Sequence, residues 1–248
     1  MTDIKKVHLP PITLIILDKN PYDDISKNLV DKANKILKNR GQVKLLVQDL
    51  EKVVKENNNS NVAFISAANS KLFMDGGSDM AYMHAIPDIE KTAKNSLKNV
   101  NYKTAIEEKY LPIGCSVLFN PNDQGYKFVV APTMFLPQKV NKTRNPYYAL
   151  RAALYSILFY NYKNPDDIIT QIYCPTMCTG YGKMRTKSAI KLMLKAMLEF
   201  SRKKKSVNFV FRKRQKYYYT GLQPQDITQI TQEQPSLYMN RDFWVQNE

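Results

Sequence analysis

The chain has 248 residues, a formal net charge of +15 and 44% hydrophobic residues, but only eight glycines. This length and hydrophobicity suit a substantial core, so the composition excludes a wholly disordered protein as well as collagen-like and glycine-rich low-complexity classes. Residues 1–10 lack the apolar core of a signal peptide, and no stretch approaches about 18 uncharged apolar residues. We therefore expect an intracellular protein, cytoplasmic (in the host cytoplasm if the source is viral), without membrane association.

Apolar runs of strand length alternate with amphipathic segments over the first 200 residues. The apolar runs predict strands at 12–17, 43–47, 62–67, 116–119, 126–131 and 168–174. The amphipathic segments predict helices at 23–39, 80–98, 146–160 and 187–200. Gly41 is typical of a residue just past a helix, and NPNDQG at 120–125 is typical of a hairpin turn. The alternation predicts an α/β protein whose sheet carries helices on both faces.

The positive charge is concentrated near the C-terminal end of the chain. Residues 201–216 contain eight Lys and Arg residues and no acidic residue, and three tyrosines follow at 217–219. A basic segment beside aromatic rings favours anionic partners, and one hypothesis is a nucleic-acid-binding accessory protein without catalytic activity. The alternative for such a charge run is a solvated surface. After about residue 217 the chain becomes Gln-rich, so we predict a domain at 1–205 and a basic, then Gln-rich, extension at 206–248.

Half of the glycines lie in two short clusters, each between a predicted strand and a predicted helix. Gly76 and Gly77 follow strand 62–67, and Gly180 and Gly182 follow strand 168–174. Ligands of open α/β sheets bind beyond the carboxyl ends of strands, where backbone N–H groups near a helix start can hold an anion. Neither cluster is a P-loop or a G-x-G-x-x-G motif. The pattern leaves two possibilities open, a clamp for a phosphate-bearing ligand and ordinary turns.

Cys174 and Cys178 are four residues apart, which raises the question of a metal site. Zinc takes about four ligands, and the rest of the chain offers one more cysteine and two histidines. We therefore predict no metal and interpret the two thiols as buried groups at a strand end.

Three motifs in order resemble the macro domain, the ADP-ribose-binding α/β/α family. The family's first loop, Asn-Ala-Ala-Asn-x-x-Leu-x-x-Gly-Gly-Gly-Val-Asp, is similar without a gap to residues 66–79, SAANSKLFMDGGSD. Its second loop, Pro followed by Ser/Thr-Gly-x-x-Gly, is similar to residues 175–182, and its Gly-Asp-Ile is similar to residues 48–50. Met-Asp-Gly-Gly, together with the segments 131–134 and 147–152, is most like a phage and bacterial branch. The resemblance covers about residues 12–200 and implies three layers around a central mixed sheet.

The resemblance also implies a role for individual residues. Asp49, with the Leu50 backbone beside it, would accept a hydrogen bond from the adenine amino group, although Asp49 also suits the N-cap of a helix. Asn69 would bind the distal ribose, with Tyr181 as an aromatic wall. The diphosphate would be held by backbone N–H groups of two sets of residues: Gly76, Gly77 and Ser78 in the first loop, and Thr179, Gly180, Tyr181 and Gly182 in the second.

Some macro domains only bind ADP-ribose, whereas others hydrolyse it from an adduct. In one hydrolytic branch the Asp after Gly-Gly-Gly-Val positions or activates the attacking water, and Asp79 occupies that place. The resemblance thus implies Asn69 and Asp79 as catalytic residues if the protein is an enzyme. It implies ADP-ribose as ligand or substrate rather than as a cofactor, and an ADP-ribosylated protein or small molecule as partner. Poly(ADP-ribose) or nucleic acid would be the partner of the basic segment.

Overall fold

The computed structural model describes residues 10–97, 110–121 and 125–203. Its sheet has six strands in the order β2-β1-β6-β3-β5-β4. Neighbouring strands run parallel, except that β4 pairs antiparallel with β5 at one edge. The strands are β1 Ile12–Asp18, β2 Gly41–Val47, β3 Val62–Ser66, β4 Val117–Phe119, β5 Lys127–Val130 and β6 Gln171–Pro175.

Helices cover both faces of this sheet. Over the described ranges they are α1 Asp24–Leu37, α2 Leu50–Lys55, α3 Ser78–Ala85, α4 Ile89–Ser96, α5 Asn145–Lys163 and α6 Thr186–Lys203. Helices α1, α5 and α6 share one hydrophobic core with the sheet, and α2, α3 and α4 share the other. The predicted α/β/α arrangement around a mixed sheet is therefore confirmed.

Strand β3 shows why the sequences of the central strands are unbroken runs of apolar residues. All five of its residues are buried, and successive side chains enter opposite cores. Ala63 and Ile65 pack with α1, α5 and α6, whereas Val62 and Phe64 pack with α2, α3 and α4. A parallel strand with helices on both sides has no solvent face, so polar alternation is absent.

Most of the segment 80–98 is helical as predicted, but it forms two helices, α3 and α4, rather than one. Pro87 disfavours helical backbone at Ile86, whose φ and ψ are −127° and 109°. Asp88 then adopts a left-handed conformation with φ of 54° before α4 begins. The apolar pattern continues through the break because α3 and α4 pack on the same core.

Gly41 lies just past a helical turn as predicted, but that turn is 3₁₀, and Gly41 also begins β2. Helix α1 ends at Leu37, and a 3₁₀ turn over Lys38–Arg40 separates it from the strand. At Gly41 φ is +155°, and a Cβ there would lie 2.9 Å from the Ile12 carbonyl oxygen. The close approach of β1 thus requires glycine at this position, which is also the C-cap of the 3₁₀ turn.

Two other predictions touch residues beyond the described ranges. The hairpin strands β4 and β5 pair antiparallel as predicted, although the turn residues 122–124 lie outside. Most of the basic segment, from residue 204, and the whole extension at 206–248 also lie outside the described residues. None of the described helices combines the length and hydrophobicity needed to span a bilayer.

Candidate functional site

A cavity of about 480 Å³ opens at the carboxyl edge of the sheet. Five parallel strands end here, and the end of each strand or the segment after it contributes to the wall. The contributing ranges are 17–20 at β1, 48–50 after β2, 67–81 after β3, 133–137 after β5 and 175–182 at β6. The carboxyl ends of parallel strands meet at one edge, which is where open α/β sheets bind ligands. The volume is in the range of small-molecule sites, about 300–1,000 Å³.

The cavity brings together ten of the eleven residues that the sequence singled out for ligand binding or catalysis. They are Leu50, Asn69, Gly76, Gly77, Ser78, Asp79, Thr179, Gly180, Tyr181 and Gly182. The two glycine clusters, about 100 residues apart in the chain, therefore face one space. Their roles toward a ligand stay predictions.

Asp49 is not among the described residues that line the cavity, although both of its neighbours are. Its carboxylate accepts a hydrogen bond from the backbone N–H of Lys52 at 3.2 Å, which confirms the N-cap interpretation. It also pairs with Lys19 Nζ at 2.9 Å, and the hydrogen bond from Lys19 lowers the pKa of Asp49. An adenine amino group would therefore have to share this carboxylate with the N-cap hydrogen bond from Lys52 and the ion pair with Lys19.

The Asn69 side chain holds the first glycine loop in shape. Its Oδ1 accepts from the backbone N–H groups of Lys71 (3.1 Å) and Phe73 (3.3 Å), and its Nδ2 donates to the Phe73 carbonyl (2.7 Å). Leu72, enclosed by this turn, has a positive φ of 59°. An amide nitrogen can donate twice, so one N–H of Asn69 can still serve a ligand.

Tyr181 joins the two loops across the cavity. A Cβ added to Gly76 would lie only 2.8 Å from Tyr181 Cε2, so the ring rests directly against the Gly76 backbone. The Tyr181 side chain is nevertheless 59% exposed. One face of the ring therefore packs on the first loop while the remainder stays open to solvent or a ligand.

The second loop is folded tightly on itself. A Cβ on Gly182 would lie 2.5 Å from the Cys178 carbonyl oxygen, a position that only glycine can occupy. Cys178 (φ 65°) and Lys183 (φ 52°) adopt left-handed backbone on either side of it. Such sparsely populated conformations are held in place by surrounding structure and concentrate at ligand sites.

Asp79 is a buried carboxyl group in the cavity wall. It lies in the first turn of α3, is 7% exposed, and accepts a 2.7 Å hydrogen bond from the Ser66 hydroxyl. Burial raises the pKa of Asp79 to about 7, the Ser66 hydrogen bond opposes this rise, and the charge of Asp75 adds to it. A carboxyl group with such a pKa can both take up and release a proton near neutrality.

The sequence analysis missed two charged residues in the wall, Asp18 and Lys19. They line the cavity with Asp79 and with Asp75, which replaces the first Gly of the first-loop motif, so Lys19 is the one cation among the described lining residues. Asp18 ends β1 and Lys19 directly follows it, and their position at a strand end is the signal that could have found them. Backbone N–H groups rather than side-chain cations would therefore have to neutralise most of an anionic ligand.

The cysteines are buried, as interpreted from the sequence. Burial raises the pKa of the Cys178 thiol to about 12 and moves that of Cys174 far above its usual range. Cys178 lines the cavity, and burial keeps its thiol protonated and unreactive at neutral pH. Within the described ranges, no cluster of three His, Cys, Asp or Glu side chains could hold a metal ion.

Comparisons with known proteins add a structural similarity. No protein-family model matches the sequence, and no curated protein matches it either. Among solved structures, the chain is similar to the macrodomain of Mycobacterium tuberculosis DarG, with 14% sequence identity and a TM-score of 0.45. The match covers 60% of this chain and 87% of that one. At this identity and TM-score, the similarity assigns neither a family nor a function to the chain.

Proposed function

We propose that the cavity binds ADP-ribose and that the protein hydrolyses mono-ADP-ribose from a protein or small-molecule adduct. The observation that carries this proposal is the convergence of both glycine loops on one cavity that also contains the buried carboxyl group of Asp79. The motif resemblance of the same loops supplies the identity of the ligand. We place the activity inside the cell, in the cytoplasm.

The parts of the cavity suit the parts of the ligand. Adenine would lie toward Leu50, with Asp49 at its edge, and the distal ribose would lie by Asn69 and Tyr181. The diphosphate would lie between the loops, where Gly76 and Gly77 precede the N-terminus of α3. A helix start offers unpaired N–H groups and a positive dipole end, which suit a diphosphate in a wall whose described residues include one cationic side chain.

The chemistry follows from the two protonation states of Asp79. As a carboxylate it would accept a proton from water while the water oxygen bonds to C1″ of the distal ribose. The bond between C1″ and the adduct breaks in the same displacement, and the departing group takes up a proton from solvent water. Asp79 then releases the proton it accepted to solvent, which restores the carboxylate. Because its pKa is about 7, Asp79 is ionised in a substantial fraction of molecules at neutral pH.

A thermal-shift panel of ADP-ribose, its 1″-phosphate, NAD, AMP and poly(ADP-ribose) tests the binding. We expect stabilisation by ADP-ribose and little by AMP, since AMP cannot reach the distal-ribose loop. Tyr181→Ala should reduce the shift, whereas Tyr162→Ala, an exposed tyrosine outside the cavity, should not. Equal shifts with AMP and ADP-ribose would contradict a site that spans both loops.

Release of ADP-ribose from a mono-ADP-ribosylated protein tests the hydrolysis. We expect Asp79→Asn to abolish release and Asp31→Asn, on the exposed side of α1, to keep the parental rate. An Asp79→Asn protein that cleaved at the parental rate would exclude Asp79 as the catalytic residue and leave ADP-ribose binding as the function.

A further inference from the structure

We propose that Ser66 is a positioning residue for Asp79, whose carboxyl group it orients and holds ready to accept a proton. The inference rests on the proposed hydrolytic function and deepens it. Ser66 lies at the position where the first-loop motif has Asn, so the resemblance assigns no role to its hydroxyl.

The geometry sets Ser66 against Asp79 with little freedom. Ser66 is the last residue of β3 and is fully buried, and its Oγ lies 2.7 Å from Asp79 Oδ1. Its carbonyl accepts a hydrogen bond from the Ala131 N–H, and the Tyr82 hydroxyl binds the carbonyl of neighbouring Ile65. The Ser66 hydroxyl thus projects from the fixed centre of the sheet, whereas Asp79 stands just after the glycine loop.

This bond distinguishes the two oxygens of the carboxyl group. Because Oδ1 accepts from Ser66, Oδ2 is the oxygen left for a water in the cavity that Asp79 lines. A water bound at Oδ2 would then have a defined direction toward the ligand, a geometric requirement for general base catalysis. Without the Ser66 bond the carboxyl group would be free to rotate about its last torsion, since that torsion has no strong preference of its own.

The charges around Asp79 make the same bond important for its protonation. Asp75 lies on the loop before α3 and raises the pKa of Asp79, as burial does, while the Ser66 hydrogen bond lowers it. Tyr82, one turn along α3, interacts with Asp79 but stays neutral because burial raises its own pKa well above the usual value. Asp18 and Lys19 face the cavity from the end of β1. Without the Ser66 hydroxyl, burial and the charge of Asp75 would still raise the pKa of Asp79, and the hydrogen bond that lowers this pKa would be lost.

Ser66→Ala tests the inference, with Ser66→Thr as the variant that keeps a hydroxyl. Ser156→Ala is the matched control, because Ser156 is also a fully buried serine, hydrogen-bonded to Ser116 and outside the cavity wall. The readouts are the pKa of Asp79 from carboxyl ¹³C NMR, the Kd for ADP-ribose from calorimetry, and the pH profile of kcat for release of ADP-ribose.

We expect Ser66→Ala to raise the pKa of Asp79 by about one unit, the effect of losing one hydrogen bond to a charged group. The rising limb of the kcat profile should move up by the same amount, which lowers kcat about tenfold on that limb. The Kd for ADP-ribose should stay unchanged, and Ser66→Thr should restore the pKa and kcat. Ser156→Ala should change none of them.

An unchanged Asp79 pKa in Ser66→Ala, or an equal shift in Ser156→Ala, would overturn the inference. The NMR readout needs no substrate, so it separates this inference from the proposed function. If Ser66→Ala shifted the Asp79 pKa while the parental protein released no ADP-ribose, the hydrolytic function would be contradicted and the coupling between Ser66 and Asp79 would be supported.

Discussion

At the scale of single residues, Asp79 is a buried carboxyl group, and its burial disfavours the charged form. In the folded chain its pKa is about 7, against a reference value of 3.8. Well below pH 4, the folded and the unfolded chain both hold the Asp79 proton, and this group does not lower the free energy of unfolding. As the pH rises from 4 to 7, the unfolded chain loses the proton and the folded chain keeps it, so stability falls and then levels off above pH 7. Such a cost suits a group retained for chemistry rather than for stability.

Asp79→Asn should therefore stabilise the protein at pH 8, by on the order of 4 kcal/mol from a shift of about three pKa units. The amide oxygen can still accept the Ser66 hydrogen bond, so the packing is preserved. Urea unfolding of both proteins at pH 8 and at pH 4 measures the effect, and most of the difference should be lost at pH 4. A constant difference at both pH values, or one shared by Asp31→Asn, would contradict the raised pKa.

Different atoms limit the space around Gly76 and Gly182, so alanine substitution should have different effects at the two positions. A Cβ on Gly182 meets a backbone oxygen at 2.5 Å, whereas one on Gly76 meets the movable ring of Tyr181. We expect Gly182→Ala to destabilise the protein by about 1–3 kcal/mol, the usual cost of overpacking. Gly76→Ala should leave the Tm almost unchanged but displace Tyr181 and weaken ligand binding. Calorimetric Tm values that fell equally in the two variants would contradict this distinction.

At the scale of elements, two asparagines attach helices to neighbouring backbone. The Asn34 side chain exchanges two hydrogen bonds of 2.8 Å with the N–H and carbonyl of Val43, which joins α1 to β2. Asn161 does the same with Ile169 and joins α5 to the segment before β6. Each amide thus pairs with both the backbone N–H and the carbonyl of one residue.

Asn161→Ala should cost more than Asn34→Ala. Asn161 is 2% exposed, so alanine would leave a buried N–H and carbonyl unpaired, each worth about 1–3 kcal/mol. Around the half-buried Asn34, water can replace the lost bonds, and we expect a loss of about 1 kcal/mol. Guanidinium unfolding of both variants gives the comparison, and an equal or larger loss for Asn34→Ala would contradict it.

The elements were largely predictable because buried parallel strands and amphipathic helices leave strong patterns. The break between α3 and α4 was not, because residues on both sides pack on one core and only Pro87 and the left-handed Asp88 separate them. The contact between Gly41 and β1 was not predictable either, because the local sequence cannot show which strand lies too close for a side chain.

At the scale of the whole molecule, the sheet order explains both what the sequence predicts about the site and what it leaves out. Residues 66–79 and 175–182 meet because β3 and β6 are neighbours, and strand-end reasoning could anticipate that. It could not anticipate that the Asn69 amide is used within its own loop, or that Lys19 pairs with Asp49. Those contacts join residues whose side-chain directions depend on the folded loops.

The central claim, that the two glycine loops together hold ADP-ribose, is tested most directly by a ¹H–¹⁵N NMR titration. Addition of ADP-ribose should shift the backbone amide signals of both loops saturably and together: Gly76, Gly77 and Ser78 in the first, and Thr179, Gly180 and Gly182 in the second. The amides of α4, which contributes no residue to the cavity wall, should stay in place. Absence of shifts at saturating ADP-ribose, or shifts confined to one loop, would contradict the account.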